Sequence, residues 1–187
     1  MAFILLIGEG FALVKNYIII AIGSTVVCAC SLFLGKNKIG QYIAPGFFAA
    51  SVIAALLLND IAKNGMLLMA NDFLDFLSLK TGKIYLDFSI EGFALPELVF
   101  TVISMFAVLL LSISVSLKNI LPALPVIIIA AMGCSCGFFS TGIYLFLLFI
   151  GILLIFLGIF IPENRSFAGI KSAAAIIAFV LICCAIS

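Results

Sequence analysis

The side chains best suited to chemistry are six cysteines, which fall in three close pairs: Cys28 and Cys30, Cys134 and Cys136, Cys183 and Cys184. With five methionines beside them, they raise the question of a soft-metal site such as copper. Their spacing argues against it. Residues two apart on a helix face nearly opposite ways, so neither C-x-C pair closes a site by itself. There is no C-x-x-C, and the chain has no histidine to complete a tetrahedral set. Cysteine also packs as a small buried hydrophobe. The six are therefore read as packing residues, and no metal or cofactor is expected.

Asp72 and Asp75 are the next candidates. Three residues apart, they share one side of a helix, and paired carboxylates serve elsewhere as acid and base. No third polar partner lies near them, so they read as the solvated face of a surface helix. Calcium held by Asp72, Asp75 and Asp87 would need a compact loop spacing that is absent here. No G-x-S-x-G, H-E-x-x-H, Walker loop or G-x-G-x-x-G occurs. The missing histidine also removes the commonest general base. No catalytic residue is expected, and the chain does not read as an enzyme.

What surrounds these residues is overwhelmingly apolar. Of 187 residues, 66% are hydrophobic and 9% charged. Mean hydropathy is +1.47. Soluble domains carry about 25% charged residues, so the composition is that of an integral membrane protein. The net charge of +1 offers no basic face for nucleic acid. The bilayer is the expected partner.

A membrane-crossing helix needs roughly 20 mostly apolar residues, and the pattern predicts about six. They are residues 17–34, 41–58, 97–117, 120–137, 140–160 and 168–187, forming an all-α bundle in a single domain. Lys15-Asn16 precedes the first, and Lys36, Asn37 and Lys38 end it. Pro45 sits in the opening turns of the second, where proline is tolerated best. Pro96 and Glu97 suit a helix start, the proline because it lacks an amide, the acid because of the helix dipole. Lys118-Asn119 closes the third span, Pro122 and Pro125 open the fourth, and Pro162 ends the fifth. The sixth reaches Ser187 with no polar flank, which suggests either a buried C-terminus or a chain cut from a longer protein, and the second is the expectation.

The segment 59–96 carries Asp60, Lys63, Asp72, Asp75, Lys80, Lys83, Asp87 and Glu91 and cannot lie in hydrocarbon. Within it Met66, Met69, Phe73, Phe76 and Leu77 recur at helical spacing. This predicts an amphipathic helix over Gly65–Leu79, lying on the membrane surface with its apolar face down. Residues 80–83 form a turn, and Ile84–Ile90 a short strand or extended piece. The first basic residue, Lys15, follows an apolar stretch, which is not the order of a cleaved signal peptide. Residues 1–16 are expected to be a short interfacial helix or an extension of the first span, with a remnant of an earlier helix as the other reading.

Orientation follows the cations in short loops. Lys36, Lys38, Lys118, Arg165 and Lys171 fall on one side, which assigns that side to the cytoplasm. Both chain ends and the 59–96 loop are then outside, in a multi-pass plasma-membrane arrangement. Tyr17, Tyr42 and Tyr144 fall at helix ends, where amphipathic rings are comfortable. In this arrangement Cys134, Cys136, Cys183 and Cys184 lie toward the outer side, which leaves open a disulfide between the fourth and sixth spans in an oxidising envelope.

Small residues on the spans predict close helix packing: Ala49, Ala50, Ser51, Ala54 and Ala55; Gly133 and Gly137; Gly151 and Gly158; Ala173, Ala174, Ala175 and Ala178. No Asp, Glu, Lys or Arg lies well inside a span. The polar residues there are mostly Ser and Thr, including Ser24, Thr25, Ser104, Ser112, Ser114 and Ser116, which weakens a pump or ion-channel reading.

The run Asn71-Asp72-Phe73-Leu74-Asp75-Phe76-Leu77-Ser78-Leu79-Lys80-Thr81-Gly82-Lys83-Ile84-Tyr85, with two spans before it and the later spans after, resembles the N-terminal membrane region of bacterial transglutaminase-like membrane proteins. The layout covers the whole chain and the wording about fifteen residues. The resemblance implies a bundle that anchors an extracytoplasmic papain-like domain with a Cys-His-Asp triad. That triad does not transfer, because this chain lacks histidine and its cysteines are in or near spans. The expectation is a non-catalytic anchor or scaffold, partnered by the bilayer and by a C-terminal extracytoplasmic domain of the same protein. The alternative is a six-span transporter or channel-like subunit for a small solute, which a cavity lined by Ser24, Thr25 and the serines of the third span would favour.

Overall fold

The computed structural model describes residues 1–34, 40–138, 144, 150 and 151. All regular structure among them is helical: α1 (Ala2–Gly10), α2 (Tyr17–Phe33), α3 (Ile43–Leu57), α4 (Asn59–Thr81), α5 (Pro96–Ser116) and α6 (Leu124–Cys136). Single 3-10 turns, Gly40–Tyr42 and Leu121–Ala123, lead into α3 and α6. Two helices, α5 and the continuous Gly40–Leu57, are long and apolar enough to cross a membrane. This is a statement of length and composition, which the core helix of a soluble protein also satisfies. The sixth expected span, most of the fifth, Lys36, Lys38, Arg165, Lys171, Cys183 and Cys184 lie outside the described residues; Tyr144, Ile150 and Gly151 are helical.

Helix limits follow the local chemistry. Pro96 opens α5 with Glu97 in its first turn. Beyond α5, Lys118 adopts a left-handed conformation (φ 49°) and ends the helix. The turn is fixed by Ser114, whose hydroxyl donates to the Asn119 carbonyl at 2.5 Å, and by Asn119 Oδ1, which accepts the Leu121 amide at 3.0 Å. Gly137 (φ 73°) caps α6 in the left-handed region that glycine enters without steric cost.

α5 is the central helix, packed against α2, α3 and α4. Phe100, Ser104, Ala107 and Val108 on it are buried, with Ala21 and Val27 of α2 and Ala44 of α3 in the same core. Phe48 and Phe106 join α3 to α5 with ring centroids 5.5 Å apart. Of the small residues expected to mediate packing on the second span, Ala49 and Ala50 face outward, while Ala44, one turn earlier, is buried.

Two expectations are corrected. Residues 2–10 form a separate helix and not an extension of the first span, and the helix is covered by the rest of the protein. Phe3, Ile4, Leu5, Leu6 and Ile7 are all buried, because a helix apolar on every side has no face to offer water. The amphipathic helix begins at Asn59, directly after α3, and runs 23 residues. Its apolar side is not turned wholly to a membrane: Met69 is buried in the protein core and Phe76 packs on Phe138, while Met66 remains exposed. Of the two readings of residues 84–90 the strand is not formed, which leaves the extended piece: the segment runs without regular structure as a strap back along α4.

Candidate functional site

The contacts sort the helix ends into two groups. At the Tyr17 end of the bundle, the Lys15 amide donates to Glu97 Oε1 at 3.3 Å, linking the starts of α2 and α5. Gly65 of α4 lies so close to Leu95 that a Cβ there would sit 2.6 Å from the Leu95 carbonyl oxygen. Further along α4, Lys80 Nζ donates to the Cys136 carbonyl at the end of α6, at 2.7 Å. Phe138 gathers Phe11, Phe73 and Phe76 around it, with centroids 5.1, 5.4 and 4.9 Å away. α4, about 34 Å long at ~1.5 Å per residue, thus reaches the ends of α3, α5 and α6 and the turn between α1 and α2.

The strap is held to α4 by two asparagines. Asn64 Nδ2 donates to the carbonyls of Glu91 (2.7 Å) and Phe93 (3.3 Å). Asn71 Nδ2 donates to the Phe88 carbonyl (3.0 Å), and its Oδ1 accepts the Phe88 amide (2.8 Å). The Asn71 carboxamide therefore pairs with Phe88 as a neighbouring strand would. Asp72 points toward the turn after α1. Burial pushes its carboxyl above the usual carboxylate range, against the Ala12 backbone N–H, and nearby Asp75 adds to the rise. One of its oxygens is buried with no partner. Asp75 and Asp87 are exposed, so the two helix aspartates differ in environment, and among the described residues no group of three His, Cys, Asp or Glu side chains forms around them.

At the opposite, Phe33 end lies a cleft of about 710 Å³. Its walls come from the last turn of α2, the start of α3 and the last turns of α5. Ser31, Gln41, Ser112 and Ser116 supply its polar groups, and Leu32, Leu109, Ile113 and Leu117 are among its aliphatic ones. Ser112 and Ser116 share a face of α5, being four apart. Ser112 is 5% exposed, and its hydroxyl oxygen is buried without a hydrogen-bond partner. The Cys28 thiol approaches it from α2 without meeting hydrogen-bond geometry.

Elsewhere the hydroxyls on the apolar helices bond to their own backbone. Thr25 donates to Ala21 O, Ser51 to Phe48 O, Thr101 to Glu97 O and Ser104 to Phe100 O, at 2.7 Å each. Ser135 does the same toward Ala131 O at 2.6 Å. Ser24 is fully buried and unpartnered but does not line the cleft. Cys30 falls in the last turn of α2, and Cys134 and Cys136 in the last turn of α6, at the other end of the bundle, so these pairs do not converge. Among the described residues no cluster suited to a metal ion forms. Sequence reading noted Ser112 and Ser116 but missed Ser31 and Gln41 in the cleft. It also missed Asn64 and Asn71 as clasps, although their seven-residue spacing places both on one helix face.

Comparison with known protein families, with curated proteins and with solved structures returned no match.

Proposed function

We propose that the chain is a non-catalytic membrane scaffold: a six-span bundle in the plasma membrane, with α4 and its strap forming a platform on the outer side. The observation that carries this reading is the state of the span hydroxyls. Thr25, Ser51, Thr101, Ser104 and Ser135 each donate to a carbonyl three or four residues back, so their protons are satisfied within their own helices and are not held out to a substrate. The side-chain amides of Asn64 and Asn71 are spent on building the platform. Resemblance in layout to the membrane region of transglutaminase-like proteins gives the reading its specific form, an anchor for an extracytoplasmic domain of the same protein.

A second reading, passage of a small solute, is favoured by one observation. The serines Ser112 and Ser116 line a cleft, although Ser24 and Thr25 do not.

Two experiments test these readings. In the first, cysteines replace Ser89 in the strap and Leu121 at the opposite end, in a background with the native cysteines changed to serine. A membrane-impermeant maleimide is expected to label S89C in intact cells and L121C only after permeabilisation. The reverse pattern overturns the orientation, and release of the chain by alkaline carbonate overturns membrane embedding. In the second, proteoliposomes are challenged osmotically with glycerol and urea. Swelling no faster than in empty vesicles supports the scaffold. Fast swelling that Ser116→Phe blocks replaces it with solute passage.

A further inference from the structure

The strap leaves one edge of its backbone unspent. Gly82 ends α4 at φ 66°, and the chain runs back extended from Lys83. The Tyr85 amide turns toward α4, 3.3 Å from the Ser78 hydroxyl. In extended backbone the N–H and C=O of one residue share a side, and its neighbours' groups point the other way. Ile84 and Leu86 therefore direct their peptide groups away from α4. Among the described residues neither backbone makes a hydrogen bond. Their side chains are equally bare, Ile84 93% and Leu86 89% exposed, so no other part of the chain covers them. An uncovered extended edge is a template for another strand.

The charge pattern selects which strand. Lys83-Ile84-Tyr85-Leu86-Asp87 is complementary to itself when run antiparallel. About a two-fold axis at Tyr85, Lys83 meets Asp87 of the second copy, Ile84 meets Leu86, and Tyr85 meets its own counterpart. Two opposite-charge pairs form and no like charges are opposed. An axis at Asp87 would instead set that carboxylate against itself, so charge fixes the register. With its amide turned to α4, Tyr85 forms the pair without ladder hydrogen bonds. Ile84 and Leu86 then exchange both peptide bonds with their opposites, and these are the groups left unspent. Ile84 and Leu86 share one face of the ribbon, and Lys83, Tyr85 and Asp87 the other. The axis stands across the ribbon, so two copies with one orientation in one bilayer satisfy it.

We propose that the strap is a self-association surface, on which two copies of this chain pair residues 83–87 as an antiparallel, two-fold ribbon. A two-stranded ribbon is marginal by itself in water, so the pairing is weak in dilute solution and grows where chains are concentrated. It stands whether the bundle is a scaffold or a solute path.

The test replaces Tyr85 by cysteine in the full chain, with the native cysteines changed to serine, and oxidises the protein mildly in liposomes. Directly opposed positions of this kind bring Cβ atoms within about 4.5–5.5 Å, close enough for a disulfide after small adjustment. Tyr85→Cys is expected to form the covalent dimer at least ten times faster than Ser89→Cys, which is also exposed but lies beyond the ribbon. Lys83→Glu and Asp87→Lys each oppose like charges, and each should lower the Tyr85→Cys dimer about tenfold. The two together should restore it, which a misfolded variant would not do. Equal rates at both cysteine positions, or rates that ignore the charge variants, overturn the proposal. In intact cells, Tyr85→Cys adducts with a different protein in place of the self-dimer overturn the choice of a second copy.

Discussion

Lys80 Nζ and the carbonyl oxygen of Cys136 meet at 2.7 Å, joining the ends of α4 and α6 across 56 residues of sequence. The ammonium sits at the negative end of α6, where a cation is favoured by the helix dipole. It also lies 5.9 Å from the centre of the Phe76 ring. Lys80→Met keeps the aliphatic stem but removes the charge and the donor. It should lower stability by about 1 kcal/mol, since the contact is exposed. A thiol-dye thermal shift in detergent measures this, and an unchanged midpoint would show that the link carries no weight.

Gly65 should resist substitution. Alanine in a helix interior normally gains about 1 kcal/mol over glycine. Here the added Cβ would meet the Leu95 carbonyl oxygen at 2.6 Å and its carbon at 2.8 Å. Both are backbone atoms, so a side chain cannot swing aside. Gly65→Ala is expected to destabilise by about 1–3 kcal/mol, as overpacking does. A gain in melting temperature would mean that the strap yields freely.

Asn71→Ala should release the strap without unfolding the bundle. Both hydrogen bonds to Phe88 are lost, at about 1 kcal/mol each or less in an exposed setting. The readout is limited proteolysis: faster cutting within residues 83–95, with the helices intact. Asn71→Asp retains an acceptor for the Phe88 amide but has no donor for its carbonyl, so it should rescue incompletely.

Asp72 makes stability depend on pH. Its carboxyl is raised above 3.8 in the folded chain, chiefly by burial. The folded state therefore holds the proton more tightly than the unfolded one. The resulting stabilisation is complete at low pH and is lost as pH rises through the folded value. At neutral pH the carboxylate is a burden, which Asp72→Asn should relieve by under about 1 kcal/mol, because the side chain is partly solvated. The variant should melt higher than the parent at pH 7, and the difference should shrink toward pH 4. A lower midpoint for the variant at pH 7 would contradict the assignment.

The helix limits were legible because they are local. Asn16, Pro96 with Glu97, Lys118-Asn119, Pro122, Pro125 and Gly137 act within a turn or two of where they stand: α2 begins beside the first, and α5 and α6 begin and end beside the others. The course of α4 was not legible. Its charges excluded hydrocarbon, but its reach over the bundle depends on Ala12, Leu95 and Cys136, distant in sequence. The burial of α1 escaped for a similar reason, since Glu9 and two glycines mark a break without saying which side of it is covered. In the cleft, Ser112 and Ser116 could be seen as one face of a helix. Ser31 and Gln41 join them only when three helix ends are brought together.

Both clasps on the strap grip backbone. Asn64 takes the carbonyls of Glu91 and Phe93, and Asn71 takes both peptide groups of Phe88. The strap's path is therefore written in α4, while Ile84 and Leu86, at 93% and 89% exposed, take no part in fixing it. Residues 84–90 form a stretch where composition can drift while the trace stays put, and where an epitope or reporter residue can be exchanged without redrawing the fold beneath.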